Sequence, residues 1–194
     1  MFDYINYQIK EALNIKQIIH KDESFSKLIE SICEEAVNVY KSGKKILLAG
    51  NGGSAGDAQH MAAEIVNKFY FDREGLPAIA LTTNTSILTA IGNDYGYENI
   101  FARQIQAYGI EGDMFIGIST SGNSPNIIKA LEECKKKKIV TVGLTGSSGG
   151  NMLELCDYCI RVQSEETPRI QETHILIGHI ICSVIEKAIF GKGF

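Results

Sequence analysis

Beyond residue 43 the chain alternates between short apolar runs and longer amphipathic stretches, and this alternation limits its possible folds more than any other feature. The amphipathic stretches lie at 54–68, 86–92, 125–138 and 150–155. The apolar runs lie at 45–49, 77–82, 114–119, 139–144 and 158–162. Apolar runs of this length, separated by helical stretches, are typical of parallel strands that are buried on both faces. The pattern therefore predicts an α/β fold with a parallel sheet covered by helices.

Helical segments flank this core on both sides. Apolar side chains at helical spacing predict two helices at 3–20 and 24–42, and a last helix from about 168 to 190. The chain has 194 residues, 44% of them hydrophobic, which is enough for one α/β domain and too few for two ordinary ones. We expect a single domain spanning the whole chain, with N-terminal helices in 1–42 and the α/β core and last helix in 43–194.

Charge and cysteine content restrict the partners and the compartment. The net charge of −4 and a pI near 5.6 give no electrostatic reason to expect nucleic acid. Five cysteines outside any short secreted framework predict reduced thiols in a cytoplasmic protein, and Cys156 with Cys159 lacks the second cysteine pair of a zinc ribbon. The apolar segment 175–190 contains polar and charged residues and falls short of the roughly 20 apolar residues that a membrane span needs. We therefore expect no membrane partner.

A glycine-rich loop follows the first apolar run. Gly50, Gly52 and Gly53 would let the backbone approach a ligand closely. Ser54 with Asp57 predicts a capping box that starts a helix at residue 54. The free backbone N–H groups at such a helix start favour phosphate or another oxyanion.

The same glycines also fit the G-x-G-x-x-A pattern of dinucleotide-binding oxidoreductases. That pattern requires an acid at the end of the second strand to bind the ribose. The second predicted strand here ends in Leu81-Thr82-Thr83-Asn84, which supplies no acid. A P-loop is excluded because no Gly-Lys-Ser/Thr follows the glycines.

Two potential metal ligands lie on the helix after this loop. His60 and Glu64 are four residues apart, so imidazole and carboxylate share one face, predicted to lie about one turn beyond the loop. Such a pair is often only a partly exposed contact, but its place after an anion loop favours a metal or catalytic role. The last helix adds Gln171 in its first turn and His179 in an apolar stretch, where an imidazole needs a buried hydrogen bond or a ligand.

A second anion-binding loop follows the third apolar run. It leads into Pro125, which suits the first position of a helix, and it contains no Lys or Arg. Its hydroxyl side chains are Ser119, Thr120, Ser121 and Ser124. Hydroxyl donors beside backbone N–H groups suit a phosphate monoester, and helix capping alone would need only one of them.

Together these features resemble the sugar isomerase (SIS) domain family, and within it the phosphoheptose isomerases. The matching motifs are the two loops, the His60/Glu64 pair, Ala90-Ile91-Gly92-Asn93-Asp94 and Arg169-Ile170-Gln171-Glu172, and the resemblance runs from residue 44 to 187. It implies a flavodoxin-like three-layer α/β/α sandwich around a five-stranded parallel sheet. It also implies a homotetramer with active sites between subunits.

The resemblance further implies a reaction and the residues for it. Glu64 would be the general base and His179 the general acid of an aldose–ketose isomerisation, from sedoheptulose 7-phosphate to D-glycero-D-manno-heptose 7-phosphate. This is the first step of nucleotide-activated heptose biosynthesis for lipopolysaccharide or capsule. The implied substrate contacts are Asn51, Gly52, Gly53, Glu64, Asn93, Asp94, Ser119, Thr120, Ser121, Ser124 and Gln171. The implied ligands of one zinc ion per subunit are His60, Glu64, Gln171 and His179. Because Gln171 and His179 lie about 12 Å apart along a helix, one ion needs converging side chains or a neighbouring subunit.

Two other functions stay open. A few relatives act as non-catalytic tetrameric adaptors of the bacterial replication initiator, although an adaptor has no need for the Glu64/His179 pair. An isomerase of another phosphosugar, such as a pentose or hexosamine phosphate, is the second alternative. Asn84 stands where many family members have Asp, and Asn67-Lys68 replaces a usual Gly-Arg, which bears on substrate preference more than on chemistry.

Overall fold

A computed structural model describes residues 1–191 as five strands and eight α-helices, with a short 3₁₀ helix at Tyr97–Asn99. The α-helices are α1 (Phe2–Lys21), α2 (Glu23–Lys41), α3 (Gly53–Val66), α4 (Thr85–Tyr95), α5 (Ala102–Tyr108), α6 (Pro125–Lys137), α7 (Met152–Leu155) and α8 (Thr167–Phe190). The strands are β1 (Ile46–Gly50), β2 (Ala78–Ala80), β3 (Met114–Ile118), β4 (Val140–Thr145) and β5 (Tyr158–Arg161).

The strands form one parallel sheet in the order β2-β1-β3-β4-β5. At its centre, Leu48 of β1 pairs with Ile116 of β3, and Ile116 pairs with Val142 of β4. One face packs against α2, α3 and α8, and the other against α5, α6 and α7, because successive strand residues point to opposite faces. The predicted three-layer α/β/α sandwich around five parallel strands is therefore confirmed.

The predicted elements match the observed ones within a few residues, with two exceptions. Helix α5 was not predicted, since its 7 residues are too few to establish an amphipathic period. The predicted capping box at Ser54 was wrong. Helix α3 begins one residue earlier, with Gly52 at φ 55° as its N-cap, and Ser54 is buried in the first turn, where its N–H donates to the Asn51 carbonyl at 3.0 Å.

Helix α8 packs its apolar face against the protein itself. Within residues 1–191 it is the one helix that is long and apolar enough to cross a membrane by length and composition alone. Its side chains Ile177, Ile181 and Ile185 are at most 1% exposed and belong to the core shared with α2 and α3. A buried core helix passes the same test of length and apolarity, so this finding is only weak support for a membrane span.

Two aspartates tie neighbouring strands together at their amino ends. Asp113, buried just before β3, accepts hydrogen bonds from the backbone N–H of Lys45 and Ile110 at 3.1 and 2.9 Å. Lys45 Nζ also donates to it at 2.6 Å. Asp157, just before β5, accepts from the N–H and the hydroxyl of Thr141 in β4, both at 2.8 Å. Carboxylates thus hold this edge of the sheet, whereas the opposite edge carries the loops that the sequence predicts to bind a ligand.

Replacing Asp113 with alanine is expected to destabilise the fold by about 3 kcal/mol, because two backbone N–H groups and a lysine lose their acceptor. Chemical denaturation at a fixed protein concentration measures the change. The matched control is Glu111→Ala, since Glu111 forms a salt bridge with Lys138 that is exposed at both ends and worth at most about 1 kcal/mol. Equal losses in the two variants would contradict the role given to Asp113.

Candidate active site

A pair of side-chain amides joins the loop after β1 to the start of α6. Asn51 Nδ2 donates to Asn126 Oδ1 at 2.9 Å, and Asn126 Nδ2 donates to Asn51 Oδ1 at 2.8 Å. The Tyr97 hydroxyl adds a third bond to Asn51 Oδ1 at 3.3 Å. Asn126 is 2% exposed, so it holds Asn51, a predicted substrate contact, in one orientation. Sequence analysis missed both Asn126 and Tyr97, because no motif or spacing distinguishes them.

The predicted hydroxyl-rich loop forms a compact cluster between β3 and α6. Ser119 Oγ lies 2.8 Å from Ser124 Oγ and 3.5 Å from Ser121 Oγ. Ser124 is the N-cap of α6 and Pro125, which has no N–H, lies in its first turn. The N–H of Ile127 donates to the Ser124 carbonyl at 3.0 Å, so Asn126 supplies the first-turn N–H that remains for a ligand beside these hydroxyls. A cavity of about 450 Å³ opens here, lined by Asn51, Tyr97, Glu98, Ser124, Pro125 and Asn126. The loop thus has the donors that a phosphate monoester requires.

Close backbone packing holds this loop against the next one, at 146–150. The Thr120 carbonyl accepts from the Gly146 N–H at 2.9 Å, and the Gly122 carbonyl accepts from the Met152 N–H at 3.1 Å. Gly122 has φ 67°, and a Cβ at this position would overlap the carbonyl oxygen of Gly149. Both the backbone conformation and the space therefore require glycine at 122.

Glu64, His60 and His179 form a chain of contacts between α3 and α8. His60 Nε2 lies 2.8 Å from His179 Nε2 and 3.5 Å from Glu64 Oε1. One imidazole donates its proton to the other at this distance. The side chains of His60 and Glu64 are 46% and 25% exposed, so a ligand can reach them from solvent. A carboxylate and an imidazole in this arrangement can transfer protons to and from a bound sugar.

This chain of contacts lies further from the glycine loop than predicted. The expected separation of one turn was wrong, because α3 begins at Gly53 and places His60 about two turns and Glu64 about three turns into the helix. From Gly53 to Glu64 the axis advances about 16 Å. The chain after α3 then reaches Pro77, whose carbonyl accepts from the N–H of Ile46 at the start of β1. Within one chain, Glu64 and the hydroxyl-rich loop therefore lie toward opposite edges of the sheet.

Three other predicted substrate contacts lie apart from the contacts among Glu64, His60 and His179. Gln171 lies on the start of α3, since a Cβ on Gly53 would lie 2.6 Å from Gln171 Nε2. Asn93 and Asp94 lie at the exposed end of α4, where Asn93 Nδ2 donates to Asp94 Oδ1 at 2.8 Å, and within residues 1–191 no hydrogen bond joins them to the other predicted residues. We call Asn51, Gly52, Gly53, Ser119, Thr120, Ser121, Ser124 and Gln171 the anion half, and His60, Glu64 and His179 the proton-transfer half.

Asp57 lies beside the proton-transfer half, although sequence analysis gave it only a capping role. Burial raises the pKa of its carboxyl, while the neighbouring imidazoles of His60 and His179 act to lower it. Its Oδ2 is buried without a hydrogen-bond partner in the described part of the chain. Asp57 precedes His60 by three residues and so shares its helix face, which is the spacing that could have identified it.

The donors of the proton-transfer half suit zinc, but one protomer leaves the set incomplete. Zinc takes imidazole nitrogen and carboxylate oxygen, and both types meet in the contacts of His60 with Glu64 and His179. Across residues 1–191, no three His, Cys, Asp or Glu side chains are grouped tightly enough to hold a metal ion by themselves. A further donor is needed, and Gln171, the predicted one, lies about two turns of α8 away from His179.

Comparison with known proteins identifies the architecture, since the SIS domain family matches residues 9–146. The chain belongs to the SIS domain family. A phosphoheptose isomerase of Aneurinibacillus thermoaerophilus is 66% identical to this SIS domain over 100% of this chain and 98% of the relative. Phosphoheptose isomerase 2 of Campylobacter jejuni subsp. jejuni serotype O:2 is 64% identical over 98% and 95%. The solved structure of a phosphoheptose isomerase from Francisella tularensis matches with a TM-score of 0.92 at 36% identity, over 96% and 98% of the two chains. The resemblance seen in the sequence is confirmed.

Gly122→Ala is expected to weaken the binding of inorganic phosphate to this SIS domain by about tenfold, because a Cβ forces the hydroxyl loop away from Gly149 and strains its backbone. Titration calorimetry measures the affinity. Gly56→Ala is the matched control, since a Cβ there meets nothing within 4 Å. Unchanged phosphate affinity in the Gly122 variant would show that the loop does not hold the anion.

Proposed function

We propose that this protein is a phosphoheptose isomerase that converts sedoheptulose 7-phosphate to D-glycero-D-manno-heptose 7-phosphate. The observation that carries the proposal is the chain of contacts from Glu64 through His60 to His179, which brings a base and an imidazole acid together. The similarity to phosphoheptose isomerases over the full length of the chain supports it. So does the hydroxyl-rich loop, whose donors suit the phosphate tail of the sugar.

The reaction moves one carbon-bound proton and one oxygen-bound proton. Glu64 takes a proton from C1, next to the ketose carbonyl at C2, and the carbonyl oxygen gains a proton, which gives a cis-enediol. Glu64 then returns its proton to C2 while the hydroxyl on C1 loses its proton, which gives the aldose. His179 transfers the protons between the two oxygens, because an imidazole can donate and accept near neutral pH.

The proposal includes a homotetramer whose active sites lie between subunits. In one protomer, Glu64 lies about 16 Å along α3 from the glycine loop. A seven-carbon sugar phosphate is shorter than this gap, so the anion half of one subunit would meet the proton-transfer half of another. The exposed apolar side chains of α1, a helix without buried residues, supply surface for such an assembly; they include Phe2, Ile5, Ile9 and Leu13.

One zinc ion per subunit is also part of the proposal, with His60, Glu64, Gln171 and His179 as its ligands. As a Lewis acid, zinc would stabilise negative charge on the sugar oxygens during the reaction. A carboxylate that donates to zinc is a weaker base, so we assign proton abstraction as the primary role of Glu64 and treat the metal as a supporting group.

The proposed product would supply nucleotide-activated heptoses for lipopolysaccharide or capsule, and the protein would form it in the cytoplasm. Free thiols are consistent with this compartment, where cysteines stay reduced. The described free cysteines are Cys33, Cys134, Cys156, Cys159 and Cys182.

The purified protein is expected to convert sedoheptulose 7-phosphate to an aldoheptose 7-phosphate faster than it isomerises fructose 6-phosphate or ribulose 5-phosphate. Proton NMR in D₂O follows the exchange of the C1 proton during turnover. Glu64→Gln is expected to lower kcat by about 10³-fold, because an amide cannot accept the carbon-bound proton. Glu132→Gln, which changes an exposed carboxylate on α6, is the matched control and is expected to keep the wild-type rate.

Each alternative gives a different result in this assay. Preferred turnover of ribulose 5-phosphate would identify an isomerase of another phosphosugar. A folded wild-type protein that turns over none of the three sugars, and that binds the bacterial replication initiator, would identify an adaptor. A fully active Glu64→Gln protein would exclude Glu64 as the base.

The zinc proposal has its own test, which measures metal content without turnover. Wild-type protein equilibrated with zinc and then desalted is expected to retain about one ion per chain, whereas His60→Ala loses a ligand and retains much less. The matched control is His20→Ala, since His20 is exposed on α1, far from the proposed ligands in sequence. A metal-free wild type that still isomerises the sugar would remove zinc from the proposal and leave the role of Glu64 intact.

A further inference from the structure

A buried ion pair holds the irregular segment between α3 and β2. Arg73 Nε donates to Glu186 Oε1 at 3.1 Å, and the two side chains are 3% and 0% exposed. We propose that this pair is a positioning device for the isomerase reaction, because it fixes the end of α3 that carries Glu64 against the helix that carries His179. The inference rests on the proposed function and adds two positioning residues to it.

Arg73 closes the C-terminal end of α3. Its Nη2 donates to the Glu64 carbonyl at 2.9 Å, and its Nη1 donates to the carbonyls of Ile65 and Glu74 at 2.7 and 2.9 Å. The last carbonyls of a helix have no partner inside the helix and form the negative end of its dipole, so a guanidinium matches them in charge and geometry. The backbone of the proposed base is therefore bonded to a cation that keeps its charge at every relevant pH.

Glu186 holds the chain after α3 from the opposite side. Its Oε1 accepts from the Phe69 N–H at 2.7 Å and its Oε2 from the Tyr70 N–H at 2.6 Å. Burial acts to raise the pKa of Glu186, but these two N–H groups and Arg73 outweigh it and hold the pKa below its usual value. The carboxylate thus stays charged and keeps both hydrogen-bonding oxygens as acceptors.

The same carboxylate is linked to the proposed acid. Glu186 follows His179 by seven residues on α8, which places the two on one face of the helix, about two turns apart. Phe69, whose N–H Glu186 accepts, has its ring 5.7 Å from the His179 ring. A displacement of Glu186 would therefore move the neighbour of His179 and, through Arg73, the helix end that carries Glu64.

Geometry explains this pair better than stability does. Two buried charges lose their hydration, and apolar residues of the same volume often stabilise a fold as well as a buried ion pair. The ion pair instead supplies six directed hydrogen bonds that join the end of α3, the segment after it and α8. A displacement of about 1 Å in a catalytic group costs about a hundredfold in rate, which gives such a device a functional reason.

Glu186→Gln tests the inference, because the amide keeps the size of the side chain but offers one acceptor oxygen where two are used. We expect kcat on sedoheptulose 7-phosphate to fall about tenfold to a hundredfold, while KM changes much less, since the anion half is untouched. Arg73→Gln is expected to behave in the same way. Arg73→Lys is expected to recover part of kcat, because an ammonium can still pair with Glu186.

A second measurement, amide hydrogen exchange, reports on local structure and does not require turnover. Hydrogen exchange of the Phe69 and Tyr70 amides is expected to accelerate in Glu186→Gln, while exchange in α6 stays at the wild-type rate. Glu111→Gln is the matched control; it breaks an exposed salt bridge to Lys138 and is expected to change neither kcat nor local exchange.

The outcomes separate the two levels of the proposal. Wild-type kcat in Glu186→Gln overturns the positioning role. A loss of kcat accompanied by faster hydrogen exchange throughout the chain also overturns it, because that result indicates a purely structural pair. If the wild-type protein does not turn over the heptulose phosphate, the proposed function is overturned. The hydrogen-exchange experiment then decides by itself whether the ion pair fixes the irregular segment between α3 and β2.

Discussion

The packing of α3 against α8 is the contact on which the rest of the site depends. The two helices run in the same direction, so residues later in α3 meet residues later in α8. Along α8 the successive contacts are Gln171 with Gly53, His179 with His60, and Glu186 with Phe69, which follows the end of α3. Gly178 makes the close approach possible, because a Cβ there would lie 2.8 Å from the Met61 sulfur. A larger residue at 178 would push the helices apart and separate the imidazoles of His60 and His179, which now lie 2.8 Å apart.

Sequence reasoning succeeded where the signal is local. The apolar runs at 45–49 and 114–119 correspond to the buried strands β1 and β3, and the loops after them lie at one edge of the sheet, as expected for parallel strands. The His60/Glu64 contact follows from helical spacing alone. In contrast, Asn51 pairs with Asn126 across 75 residues, and Arg73 pairs with Glu186 across 113. Periodicity carries no information about such pairs, because they depend on how loops and helices that are distant in sequence pack together.

The topology of the fold also explains why the two halves of the site lie apart in one protomer. In a parallel α/β unit, the loop after a strand lies at the carboxyl edge of the sheet, and the following helix returns to the amino edge. A side chain three turns along that helix, as Glu64 is, lies about 16 Å along the axis from the loop where the helix begins. The sequence places base and anion loop close together, but the fold separates them. A second copy of the chain is the simplest way to bring an anion half to a proton-transfer half.

The distribution of charge indicates which property of a substrate such a site would select, namely the length of the sugar. The hydroxyl-rich loop at 119–124 contains hydroxyl and backbone donors and no cation, so in the proposed site it would hold an anion by directed hydrogen bonds with little long-range attraction. Arg73, a buried cation bonded to the Glu64 carbonyl, pairs with the end of α3 and with Glu186. In the proposed site, with the phosphate fixed at one end and Glu64 at the other, the length of the sugar between them would decide which carbon reaches the base. Discrimination among phosphosugars would then follow from the spacing between the two halves, because every candidate substrate carries the same phosphate group.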